Sequence, residues 1–125
     1  RSLSVVPGDF SLESGHAAAT ALLALAQAPT AVFCFSDQMA LGALAACRDL
    51  GVRVPDQLSI VGFDDLASSS FLTPPLTTVR QPMREIGARA VNLLLAIIER
   101  VDVPLQQTLD FSLMLRGSTA APAAG

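Results

Sequence analysis

Residues 31–66 read AVFCFSDQMALGALAACRDLGVRVPDQLSIVGFDDL, and the order of residue types in this stretch decides the fold. Ala31–Phe35 is a continuous apolar run of strand length, the pattern of a strand buried on both faces. Ser36 or Asp37 can then cap a helix running to Leu50, and Gly51 is placed to supply the left-handed residue that ends it. After a loop containing Pro55, Leu58–Phe63 is a second buried strand. Strand–helix–strand order with buried strands predicts an α/β fold built on a parallel sheet. Ligands of such sheets bind beyond the carboxyl ends of the strands. Both candidate ends carry polar residues, Phe35-Ser36-Asp37 and Phe63-Asp64-Asp65, which points to a ligand site there.

Working outward, Leu3–Val6 reads as a short strand closed by Pro7-Gly8. Leu12 to about Ala26 is rich in Ala and Leu and reads as a helix, with Ser11 as N-cap, Glu13 in the first turn and Ala28-Pro29-Thr30 as its stop. On the other side, a polar loop Asp64–Pro75 leads to a strand Thr77–Arg80. Pro82 opens a third helix ending near Glu99, and Thr108–Leu115 reads as a last strand. The tail STAAPAAG is small and expected to fray. On the third helix, Ile86, Ala90, Leu93, Leu94 and Ile97 share one face, and Val91, Leu95 and Ile98 widen it. A stripe that broad needs a large apolar partner, which little of the chain remains to provide. The expectation is that part of the protein is absent from this sequence.

The chain has 125 residues, enough for one domain. An apolar fraction of 51% is rich for a self-sufficient domain of that size, so it either oligomerises or belongs to something larger. The formal charge is −3 and the eight basic residues, all arginine, do not cluster, so this segment lacks the basic stripe that phosphates demand. The absence of lysine removes P-loop, Schiff-base and phospho-receiver chemistry together. Cys34 and Cys47 lie in apolar stretches without C-x-x-C spacing and read as buried thiols in a reducing cytoplasm. No stretch is long enough to cross a bilayer and RSLSVVPGDF has no signal-peptide core, so a cytoplasmic location without membrane attachment is expected.

Asp64-Asp65 could be a metal-binding acid pair, a phospho-acceptor or a hydrogen-bonding site for a polyol. The first wants more acidic or histidine ligands nearby and the second a lysine, whereas a carboxylate receiving ligand hydroxyls needs nothing further. A plain loop cap is about as good a reading of Asp65 and a poorer one of Asp64. The single histidine, His16, reads as a helix-surface or packing residue. Without G-x-S-x-G or G-x-G-x-x-G there is no nucleophile–base set and no nicotinamide fingerprint, so no enzyme, metal or cofactor is expected. Phe10, between Asp9 and Ser11, is either a core plug or an aromatic platform for a sugar ring or base.

Read as whole segments, the chain resembles the LacI/GalR repressor family. SDQMALGALAACRDLGVRVPDQLSIVGFDDL resembles that family's N-D-Q-M-A-L-G, G-x-R-V-P and S-[IV]-[VI]-G-[FY]-D-[DN] runs. FLTPPLTTVRQPMREIGARAVNLLL resembles P-P-L-T-T-[IV]-x-Q-x-x-x-x-x-G, LRGST the closing R-x-[ST]-T, and GDFSLESGHAA the upstream G-D-[FW]-S-x-x-S-G. The match runs in order from about Gly8 to Thr119. The resemblance implies a periplasmic-binding-protein-like type I parallel-sheet sandwich, present here mainly as its C-terminal lobe. Residues 1–81 would be that lobe, 82–100 a helix belonging with an absent N-terminal lobe, 101–119 the return, and 120–125 a flexible tail. It implies effector binding by Asp64, Phe10, Ser36 and Met83, and a homodimer surface at Leu41, Ala45, Ser68, Phe71 and Leu72. Ser36 stands where many members carry asparagine, and one hydroxyl is not the donor-and-acceptor pair of an amide, so a simple galactoside-like ligand does not follow. The implied function is sensing of a sugar or similar small metabolite that controls DNA binding through an absent N-terminal helix-turn-helix. The alternative is a periplasmic or transport-coupled sugar-binding protein of the same fold.

Overall fold

The computed structural model describes residues 3–121. Helix α1 spans Leu12–Leu23, strand β1 Ala31–Phe33, helix α2 Asp37–Leu50, strand β2 Ser59–Phe63, strand β3 Thr77–Arg80, helix α3 Met83–Ile98 and strand β4 Ser112–Met114, with a short 3-10 turn at Ala67–Phe71. The four strands form one sheet in chain order. β1, β2 and β3 run parallel, with Phe33 opposite Val61 and Phe63 opposite Val79, whereas β4 pairs antiparallel to β3.

The helix caps fall where the residue chemistry puts them. Ser11 accepts from the Ser14 amide and Ser36 from the Met39 amide, each satisfying a donor that the first turn leaves free. Ser36 is therefore the cap and Asp37 the first residue of α2. Gly51 ends α2 at φ 71°, a conformation without strain only where there is no Cβ. α2 lies against β2, and α1 packs along α2. Small residues on α2, with Ala40, Gly42, Ala43 and Ala46 all buried, let α1 come close enough that backbone meets backbone. The core between sheet and helices is filled by Cys34, Met39, Leu58, Ile60 and Leu76 together with those alanines.

Several expectations are corrected. Leu3–Val6 is not a strand: among the described residues the segment has no strand partner, and Leu3 is 90% exposed, because an apolar run becomes a strand only where a neighbour takes its backbone groups. α1 stops at Leu23 rather than near Ala26, Ala24 already turning its amide back to Thr20 and Leu22. β1 ends at Phe33, although the Cys34 amide still reaches the Val61 carbonyl. The last strand covers Ser112–Met114 only; it pairs antiparallel and leaves the sheet mostly parallel, as expected. Of the tail expected to fray, residues 122–125 lie outside the described residues.

The closing LRGST run is a clasp. The Ser118 hydroxyl donates to the Ile60 carbonyl (2.6 Å) and accepts from the Thr77 amide (2.8 Å), and the Ser118 carbonyl accepts from the Ile60 amide. It thus joins β2 to β3 where their own ladder begins. Helix α3 has none of its residues buried, and Val91, Leu94, Leu95, Ile97 and Ile98 are about half or more exposed. Among the described residues, no helix is long and apolar enough to cross a membrane.

Candidate functional site

Three successive parallel strands end on one edge, and each end delivers a polar side chain. β1 leads to Ser36, β2 to Asp64 and Asp65, and β3 to Arg80 and Gln81, with Met83 just beyond. The backbone there is strained: Asp64 has φ 108° and Asp65 φ 55°, left-handed values that non-glycine residues rarely take. Asp64 is held by its own amide, which donates to the Val79 carbonyl (2.9 Å), and by Gln81, whose Nε2 donates to Oδ1 (3.0 Å). It is half-buried, and among the described residues its Oδ2 receives no protein donor.

Asp65 faces the other way. Its side chain is only 5% exposed and lies between two arginines, Oδ1 accepting from Arg116 (2.6 Å) and Oδ2 from Arg80. Burial pushes its carboxyl up, but the hydrogen bonds from Arg116 and Arg80 outweigh this and hold it below the ordinary carboxylate range. Arg116 also donates to the Leu76 carbonyl, tying the closing clasp to β3. Asp65 is therefore a structural anchor, and the two neighbouring acids have separate tasks. A metal-bridging role for the pair finds no support: among the described residues, no three His, Cys, Asp or Glu stand where they could hold a metal ion.

The depressed Asp65 carboxyl fixes a pH dependence. A group whose folded value lies below its unfolded one contributes stability above the unfolded value of about 3.9 and loses it as pH falls through the folded value. Acidification below about pH 4 should therefore erode stability partly through Asp65. Asp65→Asn should lower the thermal midpoint at pH 7 and flatten the acid limb of a midpoint-against-pH curve. An acid limb as steep as that of the wild type would refute the anchor.

Phe10 is neither plugged into the core nor relaxed. It is 63% exposed and held at φ 68°, just ahead of the α1 cap. Asp9 fixes this turn by accepting from the Ser11 amide (3.0 Å) and hydroxyl, and those bonds from Ser11 pull its carboxyl down to about 2. A Cβ on Gly8 would press on the Met39 side chain, so the loop carrying Phe10 closes down on the first turn of α2, beside Ser36. Ser36 itself is 5% exposed and occupied in capping, which leaves it less available to a ligand than its position suggests. Met83 is 61% exposed at the start of α3.

Of the surface residues, Leu41 and Ala45 are half-buried one turn apart on α2, Ser68 is exposed, and Phe71 is 87% exposed on the 3-10 turn. Leu72 is half-buried and packs against the core, so at least part of its role is internal. His16 links α1 to α2 through Asp49 (Nε2 to Oδ2 3.0 Å), a packing and surface role. Cys34 and Cys47 are buried free thiols, and burial pushes Cys34 up to about 12, far from reactive thiolate. A groove of about 600 Å³ opens between α3 and the sheet, lined by Phe63, Gln81, Ile86, Leu93 and Phe111 among others. None of the four expected ligand residues lines it, and its walls are mostly apolar.

Gln81, Arg80 and Arg116 were not singled out from sequence. Gln81 had a signal, a polar residue at a third strand end. Arg116 stands in the closing R-x-[ST]-T run, but nothing there names its partner, since it reaches Asp65 only by folding back across 51 residues, and Arg80 had no signal.

Comparison with known proteins accounts for this arrangement. The profile of the periplasmic binding protein-like domain matches residues 3–119. The chain belongs to that family. Within it, the chain is 48% identical over 118 residues to the HTH-type transcriptional repressor CytR of Escherichia coli (strain K12), covering 94% of this chain and 35% of the repressor. It is 44% identical over 117 residues to the repressor PurR of Actinobacillus pleuropneumoniae serotype 3 (strain JL03), covering 91% and 35%. The lac repressor dimer bound to operator and the anti-inducer ONPF superposes with a TM-score of 0.86 at 40% identity, over 91% of this chain and 40% of that one. The transcriptional regulator CelR in complex with cellobiose gives 0.82 at 39% identity, over 89% and 34%. The likeness to LacI-type repressors read from the motifs thus holds for whole sequence and whole fold. The chain spans about a third of the length of those repressors, 35% of each.

Proposed function

We propose that this chain is the C-terminal-lobe part of the effector-sensing core of a LacI/GalR-type transcriptional regulator acting in the cytoplasm. The observation that carries the reading is the sheet edge where three parallel strands end, at Ser36, Asp64 and Gln81, in a chain that matches repressors over nearly its whole length. Asp64 accepts ligand hydroxyls, Phe10 offers an aromatic face to a sugar ring, and Met83 borders the crossing to the other lobe, where α3 (within 82–100) finds the apolar partner it lacks here. Residues 101–119 return the chain to this lobe. Leu41, Ala45, Ser68, Phe71 and the outer face of Leu72 form a homodimer surface. The ligand is a sugar or similar metabolite, as the CelR–cellobiose complex illustrates for a relative. DNA is held by a separate N-terminal head. No catalytic role, metal or cofactor is part of this reading.

Calorimetry on the full-length regulator with a panel of sugars, beginning with cellobiose and sucrose, tests it. At least one should bind, and the same sugar should change affinity for duplex DNA selected on that protein by about 5- to 150-fold. A protein that binds one of them without any change in DNA affinity would refute the reading, and one that binds none of them would remove the sugar as its ligand.

A further inference from the structure

Asp37 has no place in the proposed ligand site, yet it is a buried acid (3% exposed) that forms no ion pair among the described residues. Three donors converge on it instead. Oδ1 accepts from the Thr78 hydroxyl on β3 (2.6 Å), and Oδ2 accepts from the Leu66 amide (2.8 Å) and the Ser69 hydroxyl. The first turn of α2 adds the positive end of the helix dipole. Space for the carboxylate comes from Gly62, where any Cβ would overlap Oδ1. The Thr78 hydroxyl in turn accepts from the Asp65 amide, and the Ser69 carbonyl accepts from the Leu76 amide. One carboxylate therefore grips the loop after β2 at two points and the neighbouring strand at a third. On one side of those grips lies Asp64, two residues before Leu66. On the other lies the exposed ring of Phe71, two residues after Ser69.

We propose that Asp37 is a positioning residue that clasps residues 64–72 into one unit, so that displacement of Asp64 on the ligand side is transmitted to Phe71 on the outer surface. The proposal rests on the ligand and interface roles given above for Asp64 and Phe71. The clasp suits this task because its failure is stepwise. An ionised carboxylate receives all three donors, whereas an amide in its place presents an N–H₂ to one of them and must release it. A backbone amide such as that of Leu66 cannot reverse its role, while the hydroxyls can.

Fluorine NMR of the full-length regulator carrying fluorophenylalanine tests the clasp. Asp64→Ala, which loses the Gln81 bond and strains the left-handed backbone, should shift the Phe71 resonance, and the shift should shrink or vanish when the same change is made in a Ser69→Ala or Asp37→Asn background. In those backgrounds the amides of Leu66, Ser69 and Leu76 should exchange at least about tenfold faster, with α1 and α2 as protected as before. Ser69→Ala removes a single hydroxyl, so it serves if Asp37→Asn does not fold. A Phe71 signal indifferent to Asp64→Ala in the wild type, or equally responsive in both backgrounds, overturns the proposal. Exchange raised uniformly through α1 and α2 with the response intact also overturns it, since Asp37 would then serve the fold alone. The underlying interface reading fails separately: Phe71→Glu would leave the dimer mass unchanged in sedimentation, while the fluorine response, read in protein that keeps Phe71, would still report on the clasp.

Discussion

Replacing Gly42 by alanine is expected to destabilise the protein by about 3 kcal/mol or more, and by valine to prevent folding, although either change would ordinarily favour a helix or leave it nearly unaffected. The reason is the crossing of α1 and α2. A Cβ at Gly42 would overlap the Leu12 carbonyl oxygen and stand 2.7 Å from the His16 amide nitrogen. One at Gly15, on the facing helix, would run into the Met39 backbone in the same way, 2.7 Å from its carbonyl carbon. The obstructing atoms are backbone on both sides, so no rotamer change can relieve the clash and the helices must separate. Separation reopens the packing of Ala19, Ala40 and Ala43, which fill little volume each and depend on close approach. Gly87 on α3 supplies the control, since a Cβ there meets nothing within 4 Å. Gly87→Ala should stabilise the helix by up to about 1 kcal/mol, the ordinary propensity gain. Thermal melts of both variants check this. Opposite signs are the expectation, the loss being the larger, and a Gly42→Ala midpoint at or above that of the wild type would show that the helix pair is less tightly joined than the geometry requires.

How much of this was legible beforehand follows from the range of each interaction. The caps Ser11 and Ser36, the stop at Gly51 and the strands at the centre of the sheet act within a few residues, and the sequence shows them almost at their true bounds. Leu3–Val6 was misread because its apolar pattern says what the residues could do with a neighbour and not whether one is there. The direction of β4 was hidden because α3 lies between β3 and Ser112, and a strand–helix–strand order reads as a parallel crossover. At the site, the dipeptide Asp64-Asp65 advertised itself as a unit. Only the fold separates it, because strained backbone at both residues sends one carboxylate to Gln81 and solvent and the other between Arg80 and Arg116. Asp37 shows the opposite error. A residue next to a cap reads as part of the helix start, yet its three partners come from 29 to 41 positions away.

That separation makes Asp64→Asn a clean probe of ligand binding, with an expected loss of about one to two orders of magnitude in affinity for the sugar that binds the full-length regulator. Asparagine tolerates the left-handed backbone nearly as well as aspartate, so φ 108° adds little new strain. Its amide oxygen can still accept from Gln81 Nε2, and the Asp64 backbone amide still donates to Val79. What disappears is the charge and the second acceptor oxygen, which among the described residues receives no protein donor. Hydrogen bonds to an ionised group contribute about 1.5–3 kcal/mol, and converting that range gives the expected weakening. Stability should change by no more than about 0.5 kcal/mol, and DNA affinity without sugar should hold, since the buried anchor Asp65 is untouched. Calorimetry beside a thermal melt separates this from a loop-capping role. A variant that melts early but binds sugar as the wild type does would leave Asp64 a turn residue and move the search for the ligand carboxylate elsewhere on the sheet edge.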